Sequence, residues 1–436
     1  MTSRPKSLND EAWIKLFDKY SILENINSYG MYEISAKEIN VFREARLMTK
    51  FDHKNNLPDL FKRSGLSILP ITRGSYVISN FEAYHKFEDS KGSIHADVHK
   101  VVTPDYIQSI DFENITSEAT ALNVAYLSGI LADFVKEEQL YPTVNGRMSS
   151  EEFRFEIRNN LLDCSQSISV LNSQIEIDAG YEGLDSLTLI EAKNSLSEDF
   201  LIRQLYYPYR KWHDKVEKSV RSIFLTYTNG LFSLYEYEFF EPGHYNSIRL
   251  VQQKKYTLEQ DDIQIEEIIN IFDKVVVTSE PVGIPFPQAD SFSRVVNICE
   301  LLNENSILTP EEITLKYDFD ARQTNYYTDA CRYLGLIEKN TEESGRINYS
   351  LTERGRSIFR LSLKKRNLFF VEIILEKRAF KNSFNEYLLG LELPSKEKIV
   401  NIMKSSNLYN IRSESTFNRR ASTVSGWLNW ILDLTR

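Results

Sequence analysis

Apolar positions recur at two spacings along this chain, and the switches between them mark its parts. In residues 9–20, Trp13, Phe17 and Tyr20 follow the i, i+4, i+7 spacing of a helix, and Ser35-Ala-Lys-Glu38 is a capping box that predicts a second helix to about Met48. Residues 65–78 change to β-branched, strand-like runs interrupted at Arg73-Gly74, a tight turn that presents a cation. Helical spacing returns over 117–138, with Leu122, Tyr126, Ile130 and Phe134 in register, and predicts a core helix that carries no chemistry. After Asn145-Gly146, Phe153-Arg-Phe-Glu-Ile157 alternates like a strand, with Arg154 and Glu156 opposite the phenylalanines, and 168–171 reads as another short strand.

Two strand-like runs then flank a Gly-containing turn over residues 174–193. Strand alternation puts Gln174, Glu176 and Asp178 on one face of the first run, and Glu191 and Lys193 on one face of the second. The run 187–192 is apolar at almost every position, which predicts burial on both sides. Charges at the end of such a strand are costly unless they are paired or bind a metal. Residues 200–212 predict a helix, and 221–228 with 231–239 predict a hairpin around Asn229-Gly230. A Pro-rich stretch at 280–287 reads as a linker.

Beyond it, 292–303 is helical, Thr309-Pro-Glu-Glu312 opens a second helix, and 321–334 forms a third that contains Arg322, Gln323, Asn325, Tyr326 and Tyr327. Residues 337–351 read as a hairpin wing. Helices over 394–404 and 415–430 close the chain, the latter with Arg419 and Arg420 in its first turns and Trp427, Trp430 and Ile431 as a core stripe. The expected divisions are 1–115, an N-terminal α+β region; 116–290, a mixed-sheet α/β domain; 291–366, a winged helix-turn-helix; and 367–436, a second helix-turn-helix-like module.

Composition narrows the class. The chain has 436 residues, 42% hydrophobic and 26% charged, which is ordinary globular composition. Cys164, Cys299 and Cys331 are scattered without a C-x-x-C, so neither a disulfide framework nor a zinc site is indicated, and the expected compartment is the reducing cytoplasm. No apolar run approaches the ~20 residues of a membrane span. The net charge of −10 is unevenly spread: from residue 291 onward there are 22 Lys+Arg against 18 Asp+Glu. The basic third can therefore face a polyanion that the acidic remainder would repel.

The 174–193 charges suit metal-assisted phosphodiester hydrolysis. A hard cation takes carboxylate oxygens and water, and the phosphate transition state needs a positive neighbour. Asp178 and Glu191 would hold the metal, and Lys193 would orient the attacking water and stabilise developing charge. Arg322 and Gln323 have the side chains that read guanine and adenine edges. Two residues stay open: Arg73 as a solvated turn arginine or a phosphate or base contact, and Glu156 as an extra metal ligand or a structural ion-pair partner.

Asp178, a gap of twelve residues and Glu191-Ala-Lys193 resemble the signature of the PD-(D/E)XK nuclease superfamily, with Ile177 standing where the nominal Pro would be. Gln204 and Tyr207 match the Gln-x-x-Tyr of the helix that follows the core in several of these nucleases, and Glu176 is a further auxiliary position. The order of parts resembles bacterial type II restriction endonucleases that join an Ile-Leu-Pro-Ile-(Thr/Ser)-Arg-Gly phrase, here residues 68–74, to such a core and to winged-helix modules. That resemblance implies sequence-specific cleavage of double-stranded DNA, dependence on Mg2+ with Mn2+ as a substitute, and a cognate DNA methyltransferase as functional partner. By their chemistry and placement, Arg322, Gln323, Tyr326, Arg419 and Arg420 are candidate DNA contacts, with Arg73 as the open one. One Asp…Glu-x-Lys site per chain points to a homodimer, at least on DNA, because each site hydrolyses one strand. A repair or recombination nuclease, and a non-enzymatic DNA-binding regulator with a decayed nuclease fold, are the alternatives.

Overall fold

The computed structural model describes residues 7–88, 98–162, 164–317, 319–409 and 411–435. Its largest sheet is mixed and has seven strands, in spatial order Val98–Lys100, Ile248–Thr257, Leu231–Phe239, Ser219–Thr228, Ser186–Lys193, Gln174–Glu182 and Tyr141–Ser149. Ser186–Lys193 runs antiparallel to Gln174–Glu182 and parallel to Ser219–Thr228. A parallel pair needs a crossover connection, and the helix Arg203–His213 supplies it.

Helices cover this sheet on one side and aromatic packing on the other. Ile190 and Ala192 share a core with Leu122, Phe134 and Ile223, whereas Leu187 and Leu189 pack with Leu205, Tyr206 and Phe224. Every residue of Ser186–Lys193 except Lys193 is buried, as an uninterrupted apolar run requires. The hairpin at Asn229-Gly230 has φ of 53° and 74°, the left-handed values that a two-residue turn of this kind demands. A Cβ on Gly230 would also lie 2.2 Å from a methyl of Leu363, whose side chain would have to move.

Several elements differ from the pattern's expectation. The helix expected over 36–48 is two short ones, Ala36–Ile39 and Ala45–Thr49. The Ser35–Glu38 capping box is present, but the Asn40 side chain accepts the Ala45 N–H at 2.7 Å and interrupts the ladder. The helix expected over 117–138 breaks at Gly129, φ 78°, into Glu118–Leu127 and Ile130–Val135. Asn145-Gly146 lies inside the edge strand Tyr141–Ser149, whose largely exposed residues show no alternation to read. The 153–157 strand belongs to a separate two-stranded sheet, Glu152–Asn159 with Cys164–Leu171.

Packing also crosses the expected boundaries. Leu69, Ile71, Val77, Phe81 and Phe87 join the aromatic core beneath the large sheet, and Tyr84–Lys86 pairs with Asp199–Leu201. The 115/116 division therefore cuts through one core. In the tail, Phe292–Asn305, Ile307–Leu308, Pro310–Lys316 and Ala321–Tyr333 are followed by the hairpin Ile337–Thr341 and Ile347–Leu351. Helices Leu363–Leu375, Arg378–Gly390, Lys396–Ser405 and Glu414–Asp433 then pack back, and Phe292, Tyr333, Phe370, Phe380 and Trp427 share one cluster. Residues 291–366 and 367–436 are thus two stretches around a single core. Among the described residues, no helix is long and apolar enough to cross a membrane.

Candidate active site

The two charge-ended strands meet at an irregularity. Pairing of Tyr141–Ser149 with Gln174–Glu182 passes from Val144↔Gly180 to Gly146↔Ile177, so the second strand carries one extra residue beside Asp178. Side-chain alternation slips there: Ile175 and Ile177 enter the aromatic core, Ala179 and Tyr181 the opposite one. Gly180 permits the close crossing, since a Cβ would sit 2.8 Å from that of Val144. The neighbouring ladder ends at Ile190↔Ala179, and beyond it Asp178 Oδ2 accepts the Ala192 N–H at 2.8 Å. A side chain thus replaces a ladder bond, and the strands part around the carboxylates.

Glu191 is 9% exposed. Its Oε1 accepts from Lys193 Nζ at 2.5 Å and from Gln204 Nε2 at 2.6 Å. Burial raises the Glu191 carboxyl to about 7; Asp178 and Asp52 push the same way, against the opposing pull of Lys193. Burial alone would lower the Lys193 ammonium, but Glu191, Glu118, Asp178 and Asp52 together hold it above its usual value. Lys193 is therefore a fixed cation in a nest of carboxylates.

Two of those carboxylates were not foreseen. Glu118 opens the helix Glu118–Leu127 behind the Ser117 cap, and burial raises its carboxyl, with Lys193 opposing and Asp178 reinforcing. In sequence it reads as an ordinary acidic first-turn residue. Asp52 comes from the 50–56 loop, whose backbone accepts from Leu201 N at 2.9 Å, and no local signal marks it.

The other expected residues are placed as follows. Glu176 pairs with Arg147 at 3.2 Å, half-exposed, at the rim of a small cavity that Ile177, Leu189, Glu191, Gln204 and Ser222 also line. Tyr207 is not turned to the carboxylates: its hydroxyl donates to the Pro70 carbonyl at 3.0 Å, and its ring packs on Phe153 and Phe155. It braces the 68–74 phrase against the crossover helix. Glu156 sits in the separate hairpin, its N–H on the Gly243 carbonyl, and is not brought to Asp178. Arg73 is exposed at a turn closed by Ile71 N to Ser75 O at 2.9 Å.

In the tail, the Arg322 guanidinium lies 5.2 Å from the Tyr326 ring centre and donates through Nε to the Tyr326 hydroxyl at 2.6 Å. Gln323 is spent differently from expectation: its Oε1 accepts the Asp320 N–H at 3.0 Å and caps the helix. Arg419 is exposed, and Arg420 is half-buried, its guanidinium lowered by burial and by Arg419 against the opposing pull of Tyr326 and Asp329. Three cations of the basic run 354–366 are engaged inside the protein. Arg354 pairs with Glu376 at 3.0 Å, Lys364 with Glu267 at 2.9 Å, and buried Arg366 donates to the Glu113 carbonyl.

A hard cation fits the oxygens of the strand-end site. Among the described residues, no group of three or more His, Cys, Asp or Glu is arranged to hold an ion alone. Mg2+, however, retains several waters and needs only one or two carboxylates plus phosphate oxygens. Asp178 and Glu191 supply two, and Gln204 Oε1 is a buried oxygen with no hydrogen-bond partner among the described residues.

Three family models match the chain, each described as a domain of unknown function: DUF6996 over residues 10–78, DUF6997 over 79–257 and DUF7226 over 294–436. No curated protein and no solved structure matches. Glu118, Asp178, Glu191, Lys193 and Gln204 all fall within the second matched segment, Asp52 within the first, and Arg322, Arg419 and Arg420 within the third.

Proposed function

We propose that this chain is a metal-dependent deoxyribonuclease of the type II restriction endonuclease kind, which hydrolyses phosphodiester bonds in double-stranded DNA at a site chosen by its C-terminal region. The observation that carries the reading is the meeting of Asp178, Glu191 and Lys193 at the parted ends of two strands, with Gln204 on the same carboxylate. The tail's order of helix, strand, two helices and hairpin supports a winged-helix reading head with Arg322 on its third helix.

Mg2+, or Mn2+ in its place, would be held by Asp178 and Glu191 and would supply a polarised phosphate and an acidified water. Asp178 is pinned by the Ala192 N–H, so one carboxylate is oriented before substrate arrives. Gln204 and Lys193 fix the rotamer of Glu191. Lys193, held in its charged form by four carboxylates, is unsuited to accept a proton and suited to donate hydrogen bonds to the attacking water and the phosphorane oxygens.

The test is incubation of the purified chain with Mg2+ and a plasmid of known sequence, followed by mapping of the ends. Discrete fragments with a common end sequence support the reading. Cleavage confined to flaps or junctions replaces it with a repair or recombination nuclease, and DNA binding without cleavage in Mg2+ or Mn2+ replaces it with a regulator. Because one chain offers one site, a homodimer on DNA and a protecting DNA methyltransferase belong to the same proposal. Sizing of the protein–duplex complex tests the first, and pre-methylated plasmid the second.

A further inference from the structure

The helix Glu414–Asp433 and the helix Ala321–Tyr333 belong to stretches that the sequence separates, yet one segment clamps them together. At residues 289–291, Ala289 N donates to Thr423 Oγ1 at 3.0 Å, Thr423 Oγ1 donates to Asp290 Oδ1 at 2.7 Å, and Trp427 Nε1 donates to the Ala289 carbonyl at 2.7 Å. Ser291 N donates in turn to the Tyr327 hydroxyl at 3.4 Å. A Cβ on Gly426 would stand 2.1 Å from the Asp290 carbonyl oxygen, so the later helix can lie this close only with glycine there. The relative placement of the two helices is therefore set by packing and bonds on three consecutive residues.

The clamp brings cations to one place. Arg420 is one turn before the clamped Thr423, and Tyr326, on which Arg322 rests, adjoins the clamped Tyr327. Arg420 Nε is buried and has no acceptor among the described residues. Asp329, whose charge acts on Arg420, is already paired with Arg332 at 2.8 Å. Arg419 is exposed and makes only a 3.5 Å contact to Thr416, and Lys396 Nζ reaches Ser422 Oγ at 3.4 Å. Arg420 thus holds a partly desolvated charge in the field of the like charge Arg419, and an arriving anion would offset both.

We propose that Arg322, Arg419 and Arg420 form one composite surface that grips the phosphate backbone of a single turn of duplex DNA, with the Glu414–Asp433 helix as a phosphate clamp beside the reading helix rather than as a separate reading module. This rests on the DNA-binding half of the function proposed above but not on its chemistry.

The test uses the full chain without divalent metal and two duplexes, one of about 12 base pairs, little more than a helical turn, and one of about 40. Arg322→Ala and Arg420→Ala are each expected to weaken binding and to reduce the slope of log affinity against log salt by about 0.9, on the short duplex as on the long one. Lys254→Ala, on the sheet, should leave both unchanged. An Arg420→Ala effect on the long duplex alone would show two separate DNA sites and overturn the composite surface. Unchanged binding in Arg420→Ala would overturn it as well. Arg420→Lys, which keeps the charge, guards against misreading an unfolded variant and is expected to retain most of the salt slope. Binding as proposed by a chain that never cleaves would sink the nuclease reading and leave this one standing.

Discussion

Replacing Glu191 by glutamine changes the charge of the site and almost nothing of its shape, so its effect on stability isolates what the buried carboxylate costs. Glu191 binds its proton with a value of about 7 in the folded chain against an ordinary 4.5. A group whose folded value is raised contributes stability that is fully present below the unfolded value and is lost as pH climbs through the folded one. The window here is about pH 4.5 to 7, and two to three units at ~1.4 kcal/mol each give a loss of about 3 kcal/mol. Glutamine cannot ionise and suffers no such loss. Near pH 4.5 the wild-type side chain is itself neutral, and Lys193 sees an uncharged neighbour in both proteins.

The expectation is that Glu191→Gln matches the wild type in urea denaturation near pH 4.5 and exceeds it by up to about 3 kcal/mol at about pH 8.5, while cleavage is abolished. Saturating Mg2+ at the higher pH should restore much of the lost stability to the wild type and give little to the variant. A variant destabilised equally at both pH values would mean that Glu191 is ionised throughout and stabilised by Lys193, and the electrostatic account of this site would fail.

Asp178→Ala and Lys193→Ala should each lower plasmid cleavage by several orders of magnitude while gel-shift affinity for duplex DNA holds; full cleavage by either removes that residue from the mechanism. Since a cation at the site competes with the Glu191 proton, calorimetric Mg2+ or Mn2+ affinity should rise by up to about tenfold per pH unit below about 7 and level off above it, whereas a flat profile across that range would place the metal elsewhere. Asn56→Ala removes the amide that donates to the Thr314 and Tyr317 carbonyls at 2.8 and 2.9 Å, and should cost about 1–3 kcal/mol and speed hydrogen exchange at residues 314–317. Unaltered exchange there would show that water satisfies those carbonyls.

The central strands were legible because their evidence is local. An uninterrupted apolar run bounded by a turn has few structural solutions, and Glu191-Ala-Lys193 keeps its two charges on one face by alternation alone. The Asn229-Gly230 turn is legible for the same reason: two adjacent left-handed residues admit few sequences. Glu118 and Asp52 are not local. Each is an unremarkable acid in its own segment and gains meaning only from a long-range fold that turns it toward Lys193. The extra residue beside Asp178 is equally silent, since it depends on register with Tyr141–Ser149, an edge strand without apolar alternation. Tyr207 shows the opposite error: its spacing from Gln204 suggested a site residue, but its hydroxyl is taken by Pro70.

Charge in the tail makes the general point in energetic terms. A count of 22 basic against 18 acidic residues says that a polyanion could be accommodated, but not where. The densest basic run is 354–366, yet Arg354, Lys364 and Arg366 spend hydrogen bonds on Glu376, Glu267 and the Glu113 carbonyl. Binding a phosphate through them would first break those contacts, and the gain from the new pair would be offset by the loss of the old one. Arg419 and Arg420 contribute only two charges, but one is exposed and the other has a buried Nε without an acceptor among the described residues, so no internal carboxylate pair there must be given up when an anion arrives. On the proposed reading, what selects a nucleic-acid surface is the charge left uncompensated after folding, which Arg419 and Arg420 hold and Arg354, Lys364 and Arg366 do not.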